Sequence, residues 1–279
     1  MLTICNLPVF FPGKDQDLTE KYELLFKEFY VSGMPKETVH MLRISVEGCG
    51  ETRISDYDYD YELAPFRFLK RGNEIKVWNR HCEDGYVLIN PPWNSAVIRE
   101  TASASDITST NLLQIAFSSF LSMNQGLFMH GAVIAYHKSG IIFTASPGGG
   151  KSTQAAIWRS ALGAEIINGD KAMLRLNDSD VMVYGSPWSG SSAFKVNKGV
   201  PLKAIIVLEK GNFNIIHQIK GTAQLYELGQ HIYFPYWHKN LINSTLSVLD
   251  ALYKRVPIFR LTCKPDETAA FLVRETIFG

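Results

Sequence analysis

A glycine-rich run that directly follows an apolar segment constrains the fold of this chain more than any other feature of its sequence. The apolar segment is residues 140–144, and residues 145–153 read Ala-Ser-Pro-Gly-Gly-Gly-Lys-Ser-Thr. A strand, a glycine-rich turn and the start of a helix, in that order, let successive backbone N–H groups converge on an anion. The run therefore predicts a loop that holds the phosphates of a nucleotide.

The polar residues of this run suit separate parts of that task. Lys151 would place a positive charge near the β- and γ-phosphates, and the hydroxyl of Ser152 would bind Mg²⁺. The usual pattern begins with glycine where this chain has Ala145. The competing interpretation is a flexible surface loop that contains Gly-Lys-Ser by chance. We assign nucleotide binding to seven residues: Pro147, Gly148, Gly149, Gly150, Lys151, Ser152 and Thr153.

Two residues outside the loop are candidates for its chemistry. Asp170 comes shortly after the short predicted strand 164–167, where a second carboxylate for the metal would be delivered. The alternative is that residues 168–170, Asn-Gly-Asp, form only a turn. His130 lies in residues 127–136, the predicted first strand of a hairpin that feeds the loop. A lone strand histidine is usually structural, and only this link to the loop makes His130 a catalytic candidate.

The turn-rich segment 185–192 and two arginines have open roles. The segment follows a predicted strand, so it suits a substrate loop, or else an ordinary connection whose Trp188 packs on the core. Arg255 and Arg260 flank the last predicted strand. They could reach a phosphate, although each alone is more often a surface charge.

Charge and cysteine content narrow the classes of partner. The formal net charge is +1 and no long run of lysine and arginine occurs, so the electrostatic footprint of a nucleic-acid-binding protein is missing. The 4 cysteines are scattered without a C-x-x-C pair, which argues against a zinc cage or a disulfide framework and suits a reducing cytosol. No apolar run has membrane-spanning length, and the first 13 residues lack the basic region of a secretory signal. We expect a cytoplasmic protein without a nucleic-acid or membrane partner.

The pattern of apolar residues divides the 279 residues into two domains of a mixed α/β (α+β) protein. Residues 1–105 predict a small β-rich domain with antiparallel strands at 41–46, 52–57, 67–69 and 74–78 and a helix within 18–29. The acidic and aromatic run 56–62 fits an exposed strand better than a metal site. Residues 106–279 predict the second domain. Its helices fall near 106–125, 151–162, 222–232, 241–254 and 266–277, and its strands at 127–136, 141–144, 164–167, 171–176, 181–184, 202–208 and 256–262.

Several blocks of the second domain, in this order, resemble one family. They are residues 129–133, 143–153, 167–172, 185–190, 200–208 and 256–261, and together they resemble the HPr kinase and ATP-dependent phosphoenolpyruvate carboxykinase-like superfamily, within it the short HPr-kinase-related proteins. The resemblance covers roughly residues 111–279. It implies a phosphate-loop kinase core with a mixed sheet, with ATP and Mg²⁺ as cofactors. By this resemblance, Lys151, Ser152 and their neighbours would hold the ATP phosphates and the metal. His130 would lie beside the transferred phosphoryl group, and Asp170 would bind the metal or contact the acceptor hydroxyl.

The chain departs from the family pattern at one critical position. Related kinases carry two consecutive aspartates where this chain has Gly169-Asp170, and the first is regarded as the base. Asp170 could take over the proton, the acceptor could lose it late to water, or the chain could bind nucleotide with little turnover. The segment with which HPr kinases engage HPr is not evident, so HPr is not the implied acceptor.

The leading functional hypothesis is a kinase, with Asp170, His130 and Lys151 as its catalytic residues. It would transfer the γ-phosphoryl group of ATP to a serine-like hydroxyl on a small molecule or peptide. A nucleotide-binding sensor or scaffold with weakened catalysis is the alternative, and a carboxykinase-type enzyme ranks last because its extra basic ligands are not found. Assembly into a homo-oligomer stays open.

Overall fold

The computed structural model describes residues 1–13, 15–32, 40–49, 59–63, 65–81 and 84–279. It is a mixed α/β structure that separates into two compact units. The first unit comprises residues 1–124 and 235–244, and the second comprises residues 125–234 and 245–279. The predicted boundary after residue 105 differs from this division, which keeps the helix 106–123 with the first unit.

The first unit contains a sheet with the strand order β1-β2-β3-β8-β7-β6-β5-β4 in the described residues. Helices α1, Gln16–Leu25, and α2, Asp106–Met123, accompany it, and a short 3₁₀ turn covers Lys27–Phe29. The strands are β1 Leu2–Ile4, β2 Leu7–Phe10, β3 Leu42–Gly48, β4 Tyr59–Leu63, β5 Phe66–Arg71, β6 Glu74–Asn79, β7 Gly85–Ile89 and β8 Ser95–Glu100.

Caps and one buried carboxylate organise the helices of the first unit. Asp15 caps α1 by accepting from the N–H of Leu18 at 3.2 Å, and Ser105 caps α2 in the same way through Thr108. Glu100, fully buried at the end of β8, accepts hydrogen bonds from the side chains of Lys21, Tyr22 and Ser109. Burial beside this carboxylate raises the pKa of the Tyr22 hydroxyl well above its usual value. The carboxylate therefore ties both helices to the end of the sheet.

The strands of the first unit are partly parallel, which corrects the prediction of an antiparallel sheet. β3 pairs in parallel with both β2 and β8. Between β2 and β3 the chain passes through α1 and returns in the same direction. β5 to β8 are antiparallel, and of these strands the sequence named only 67–69 in β5 and 74–78 in β6. The predicted strand 52–57 lies outside the described residues, as do residues 56–58 of the acidic run. The rest of that run is in β4, whose Asp60 pairs with Arg67.

The second unit contains the sheet β12-β10-β11-β15-β14-β13-β9-β17, and β18 joins it by pairing with β15 on one side and β16 on the other. Its strands are β9 Gly126–His130, β10 Ala132–Tyr136, β11 Ser139–Thr144, β12 Glu165–Asn168, β13 Lys171–Leu176, β14 Val181–Tyr184, β15 Gly199–Lys210, β16 Ile215–Ile219, β17 Ile232–Tyr233 and β18 Ile258–Cys263. Its helices are α3 Lys151–Leu162, α4 Ala223–Gly229, α5 Lys239–Arg255, whose first residues belong to the first unit, and α6 Glu267–Phe278.

The long strand β15 connects the two halves of this sheet. Its first residues pair antiparallel with β14, and its later residues run parallel to β11 and β18. Two clusters of buried apolar side chains pack on it. One contains Trp158 of α3 and Val273 of α6, and the other contains Leu249 and Leu252 of α5. Burial of this apolar area is the main stabilisation of the unit.

Most predicted elements of the second unit are present, with three differences. Residues 127–136 form two strands rather than one, because the chain changes partners at Gly131: β9 pairs with β13 and β17, and β10 pairs with β11 and β12. The predicted helix 222–232 ends at Gly229, and Ile232 belongs to β17. β16 was not predicted. Among the described residues, no helix combines the length and apolar character needed to cross a membrane.

Candidate functional site

The glycine-rich run forms a tight turn between β11 and α3. Thr144, the last residue of β11, is fully buried, and Lys151 is the first residue of α3. Gly148 and Gly150 have φ values of 73° and 96°, a left-handed conformation that disfavours side chains. Gly150 is also the N-cap of α3 without a side-chain hydrogen bond, so the first N–H groups of the helix stay available to an anion.

Ala145, the departure from the usual pattern, fits this turn. A Cβ added at Gly149 would lie 2.5 Å from the Cβ of Ala145, so the alanine occupies space that the glycine leaves. The N–H of Gly149 donates to the carbonyl of Ser146 at 2.9 Å. The ammonium of Lys151 donates to the carbonyl of Ala145 at 3.2 Å, which folds its side chain back over the loop. Only the lysine side chain has to leave this carbonyl for Lys151 to meet a phosphate.

Asn168, which the sequence analysis treated only as part of a turn, holds Asp170 in place. Its fully buried side-chain oxygen accepts from the backbone N–H of Asp170 at 2.9 Å and from that of Lys171 at 2.8 Å. Its amide nitrogen donates to the carbonyl of Ser186 at 2.9 Å and to the hydroxyl of that serine at 3.1 Å. The Asn-Gly-Asp segment is thus a turn, as the alternative interpretation holds, and the turn orients the Asp170 carboxylate.

His130 is the last residue of β9, not a residue within the first strand of a hairpin as predicted. Its carbonyl accepts from the hydroxyl of Thr144 at 2.7 Å, and its N–H donates to the carbonyl of His231 at 2.7 Å. The next residue, Gly131, donates its N–H to the carbonyl of Asp170 at 2.7 Å. These bonds join the end of β11, the end of β9 and the turn of Asp170. As a result, Nδ1 of His130 lies 3.2 Å from Oδ1 of Asp170, an ion-pairing distance.

Burial and neighbouring charges set the protonation of this cluster. Burial lowers the pKa of His130, and the positive charges of Lys151 and Lys171 lower it further, while Asp170 opposes them. The imidazole is therefore neutral near pH 7. Burial also lowers the pKa of Lys151, and Asp170 partly offsets this effect. His231 belongs to the same electrostatic neighbourhood, because burial and then His130 and Lys151 lower its pKa.

The segment 185–192 closes over the Asn-Gly-Asp turn. A Cβ added at Gly169 would lie 2.2 Å from the Cβ of Ser192 and 2.1 Å from its hydroxyl oxygen. A Cβ added at Gly190 would lie 2.9 Å from Oδ2 of Asp170. Gly169 is therefore matched by a serine that fills the space beside it, and Gly190 leaves one carboxylate oxygen of Asp170 uncrowded.

Three other predicted candidates are engaged elsewhere. Trp188 is buried edge-on against Phe128, as the structural interpretation of that segment predicts. Arg255 donates to the carbonyl of Asn177 at 2.8 Å, and Arg260 pairs with Glu227. We therefore leave both arginines outside the candidate site.

Three residues that shape the site were missed by sequence reasoning: Asn168, Lys171 and His231. The preference of asparagine for turns in which its side chain accepts backbone N–H groups was a usable signal for Asn168. Lys171 and His231 lie far along the chain from the loop: Lys171 pairs with His130 across β13 and β9, and His231 directly precedes β17, which pairs with β9.

The oxygen donors near the loop suit a magnesium ion bound together with phosphates. Ser152 is exposed in the first turn of α3, and Asp170 offers Oδ2 while its Oδ1 faces His130. Mg²⁺ prefers hard oxygen ligands and is usually held by one or two protein groups plus substrate phosphates and water. Within the described part of the chain, no group of three or more histidine, cysteine or acidic residues forms a self-sufficient metal cage. The donor set thus fits a metal that arrives with a nucleotide.

Among the comparisons with known proteins, only the search of solved structures finds matches. No protein-family model matches the chain, and no curated protein matches it. Among solved structures, the Hpr(Ser) kinase/phosphatase from Coxiella burnetii aligns with 55% of this chain and 99% of its own, at 11% identity and a TM-score of 0.34. A likeness at this level carries no argument about function.

Proposed function

We propose that this chain is an ATP- and Mg²⁺-dependent kinase that transfers a γ-phosphoryl group to a serine-like hydroxyl on a small molecule or peptide. The observation that carries the proposal is the His130–Asp170 pair, 3.2 Å apart, in the electrostatic reach of Lys151 at the start of α3. A phosphate bound at the glycine loop would meet a cation, a carboxylate and a neutral imidazole together. Phosphoryl transfer depends on positioning and charge stabilisation of this kind.

The residues divide the work as follows. The N–H groups of Gly148 and Gly150 and of the first turn of α3 bind the phosphate oxygens, Gly149 lets the loop turn tightly, and Lys151 stabilises the charge on the transferred group. Ser152 and Asp170 would hold Mg²⁺, which neutralises phosphate charge when it is bound. Pro147 and Thr153 flank the loop and complete the phosphate-binding segment.

The proton of the acceptor goes to His130 in this proposal. The acceptor oxygen forms a bond to the γ-phosphorus while the bond from that phosphorus to the bridging oxygen breaks, and ADP leaves with the bridging oxygen. The hydroxyl proton moves to Nε2 of His130, which is free to accept it when Nδ1 carries the proton that faces Asp170. The carboxylate of Asp170 then stabilises the imidazolium. This route needs no carboxylate at Gly169.

The test uses the purified full chain with ATP, Mg²⁺ and a panel of serine, serine peptides and other hydroxyl compounds. Phosphorylated product is detected by mass spectrometry, and ADP release gives the rate. We expect His130→Gln to lower kcat by about 10²- to 10⁴-fold with little change in ATP affinity. His217→Gln, a change on exposed β16, is the matched control. Equal rates for the two variants would refute the assignment of His130.

A nucleotide-binding sensor is the second candidate, and Gly169 is the observation that favours it. A chain that binds ATP tightly but phosphorylates nothing in the panel would support the sensor and exclude the kinase. Failure to bind ATP at all would exclude both.

A further inference from the structure

A cleft of about 420 Å³ opens beside the glycine loop, and six of its lining residues, from Gln154 to Pro265, have no role in the proposed phosphate chemistry. It lies in the second unit, where β11, β15 and β18 run parallel to one another. The loops that follow the carboxyl ends of these strands form its walls, which is where open α/β sheets bind ligands. Its lining comprises Gly148, Gly149, Gly150, Thr153, Gln154, Glu209, Lys210, Gly211, Cys263 and Pro265.

Gln154 is the unusual residue of this cleft. Its side chain is 2% exposed, and its Oε1 atom has no hydrogen-bond partner. Its Nε2 atom lies 3.5 Å from the sulfur of Cys263, a weak acceptor. In a buried side-chain amide, the oxygen and the nitrogen normally both form hydrogen bonds. Gln154 therefore lines the cleft with an acceptor atom, Oε1, whose hydrogen-bonding capacity is unused. The last torsion of glutamine is broad, so a small rotation presents the amide edge to the cleft.

The position of the cleft determines which end of a bound nucleotide lies in it. Gly148 to Gly150 belong both to the cleft and to the phosphate loop, and Thr153 and Gln154 follow one turn later on α3. Lys151, by contrast, lies in the electrostatic reach of Asp170 and His130. A nucleotide with its terminal phosphate near Lys151 therefore directs its other end into the cleft.

We propose that this cleft binds the base of the nucleotide and that Gln154 selects adenine. The proposal rests on the proposed function. A glutamine carboxamide pairs with adenine through two hydrogen bonds: Oε1 accepts from the exocyclic amine, and Nε2 donates to a ring nitrogen. Guanine presents a carbonyl oxygen and a ring acceptor on its corresponding edge, which leaves Oε1 unpaired. Pro265, Cys263 and the glycine backbone supply the flat, largely apolar surface that a purine ring needs.

The experiment measures binding of ATP, GTP and inorganic tripolyphosphate, each with Mg²⁺, to the unmodified chain by calorimetry. We expect ATP to bind at least about 10-fold more tightly than either of the others. Equal affinities for ATP and GTP, or for ATP and tripolyphosphate, would overturn the proposal without any variant. Binding of tripolyphosphate separates the two proposals. If tripolyphosphate binds and the affinity for ATP is no higher, the assignment of the phosphate loop is supported and the proposed base site is refuted. If none of the three binds, the proposed function falls too.

A variant then assigns the effect to the glutamine. Gln154→Leu keeps the volume of the side chain and removes the amide, and Gln218→Leu on exposed β16 is its control. We expect the first variant to lose about 10-fold in ATP affinity and nothing in tripolyphosphate affinity. A parallel loss for both ligands, with unfolding curves that match the unmodified chain, would show that Gln154 does not contact the base.

Discussion

Replacing Gly169 with aspartate would add a second carboxylate next to Asp170, and the structure predicts that this single substitution destabilises the protein. The φ of Gly169 lies outside the left-handed region, so the backbone tolerates a side chain. The obstacle is Ser192, whose Cβ would lie 2.2 Å from the new Cβ, well over 1 Å inside optimal contact. Ser192 is held in turn by its hydroxyl, which accepts from the N–H of Phe194 at 3.2 Å, and by its carbonyl, which accepts from Ser189 at 2.7 Å.

Relieving that collision requires the segment around Ser192 to move. Overpacking of this kind costs about 1–3 kcal/mol, so Gly169→Asp should lower the melting temperature by roughly 3–10 °C. It should also lower activity, since the same segment touches Asp170 through Gly190. In the double variant with Ser192→Gly, the colliding atoms are gone. The nearest remaining atom of residue 192 in contact range is its Cα at 3.7 Å, an ordinary contact.

The assay is a double-mutant cycle of thermal unfolding together with kcat for the four proteins. We expect the double variant to be about as stable as Ser192→Gly alone, which itself loses about 0.5–1.5 kcal/mol with its hydrogen bond to Phe194. Its kcat should rise by less than about 10-fold over that single variant, because His130 accepts the proton in the proposed mechanism and a second carboxylate beside Asp170 opposes ionisation of both. A single Gly169→Asp variant that keeps full stability would refute the packing argument. A gain of about 10²-fold or more in the double variant would refute the role of His130 as base.

Three other predictions test the rest of the site. Lys151→Ala should abolish most of the thermal stabilisation by ATP, and unchanged ATP affinity would contradict the loop assignment. The free energy of unfolding of the chain without ATP should change by less than about 1.5 kcal/mol, because only the hydrogen bond to Ala145 is lost. The value of kcat/KM should fall on acidification only below the pKa of a free imidazole, because the proposed base His130 must be neutral and burial lowers its pKa. A pH profile whose midpoint lies above the pKa of a free imidazole would contradict the role of His130. Asn168→Ala should lower the free energy of unfolding in urea by about 2–4 kcal/mol and also lower kcat, because the N–H groups of Asp170 and Lys171 lose their acceptor. Asn168→Asp keeps that acceptor and should retain more activity.

Much of the second unit could be predicted from local sequence. The glycine loop, α3 and the short strands around Asp170 follow from patterns that act over a few residues: apolar alternation, glycine at left-handed positions and helix caps. Within the first unit, the same reasoning predicted strands but not their direction. The parallel pairing of β3 with β8 joins residues about 50 positions apart, and nothing local encodes it.

The sequence by itself determined which residue types are present near position 150 and that Gly169 lacks a carboxylate. Only the tertiary structure decided that His130 ends one strand and faces Asp170, because strand pairing joins β9 to β13. It also decided that Ser192 fills the space beside Gly169, and that Gln154 lines a cleft with a buried amide oxygen that has no partner. The physical reason is the same in each case: these relations are contacts between atoms distant in the chain, and packing of the whole sheet, not any local pattern, sets them.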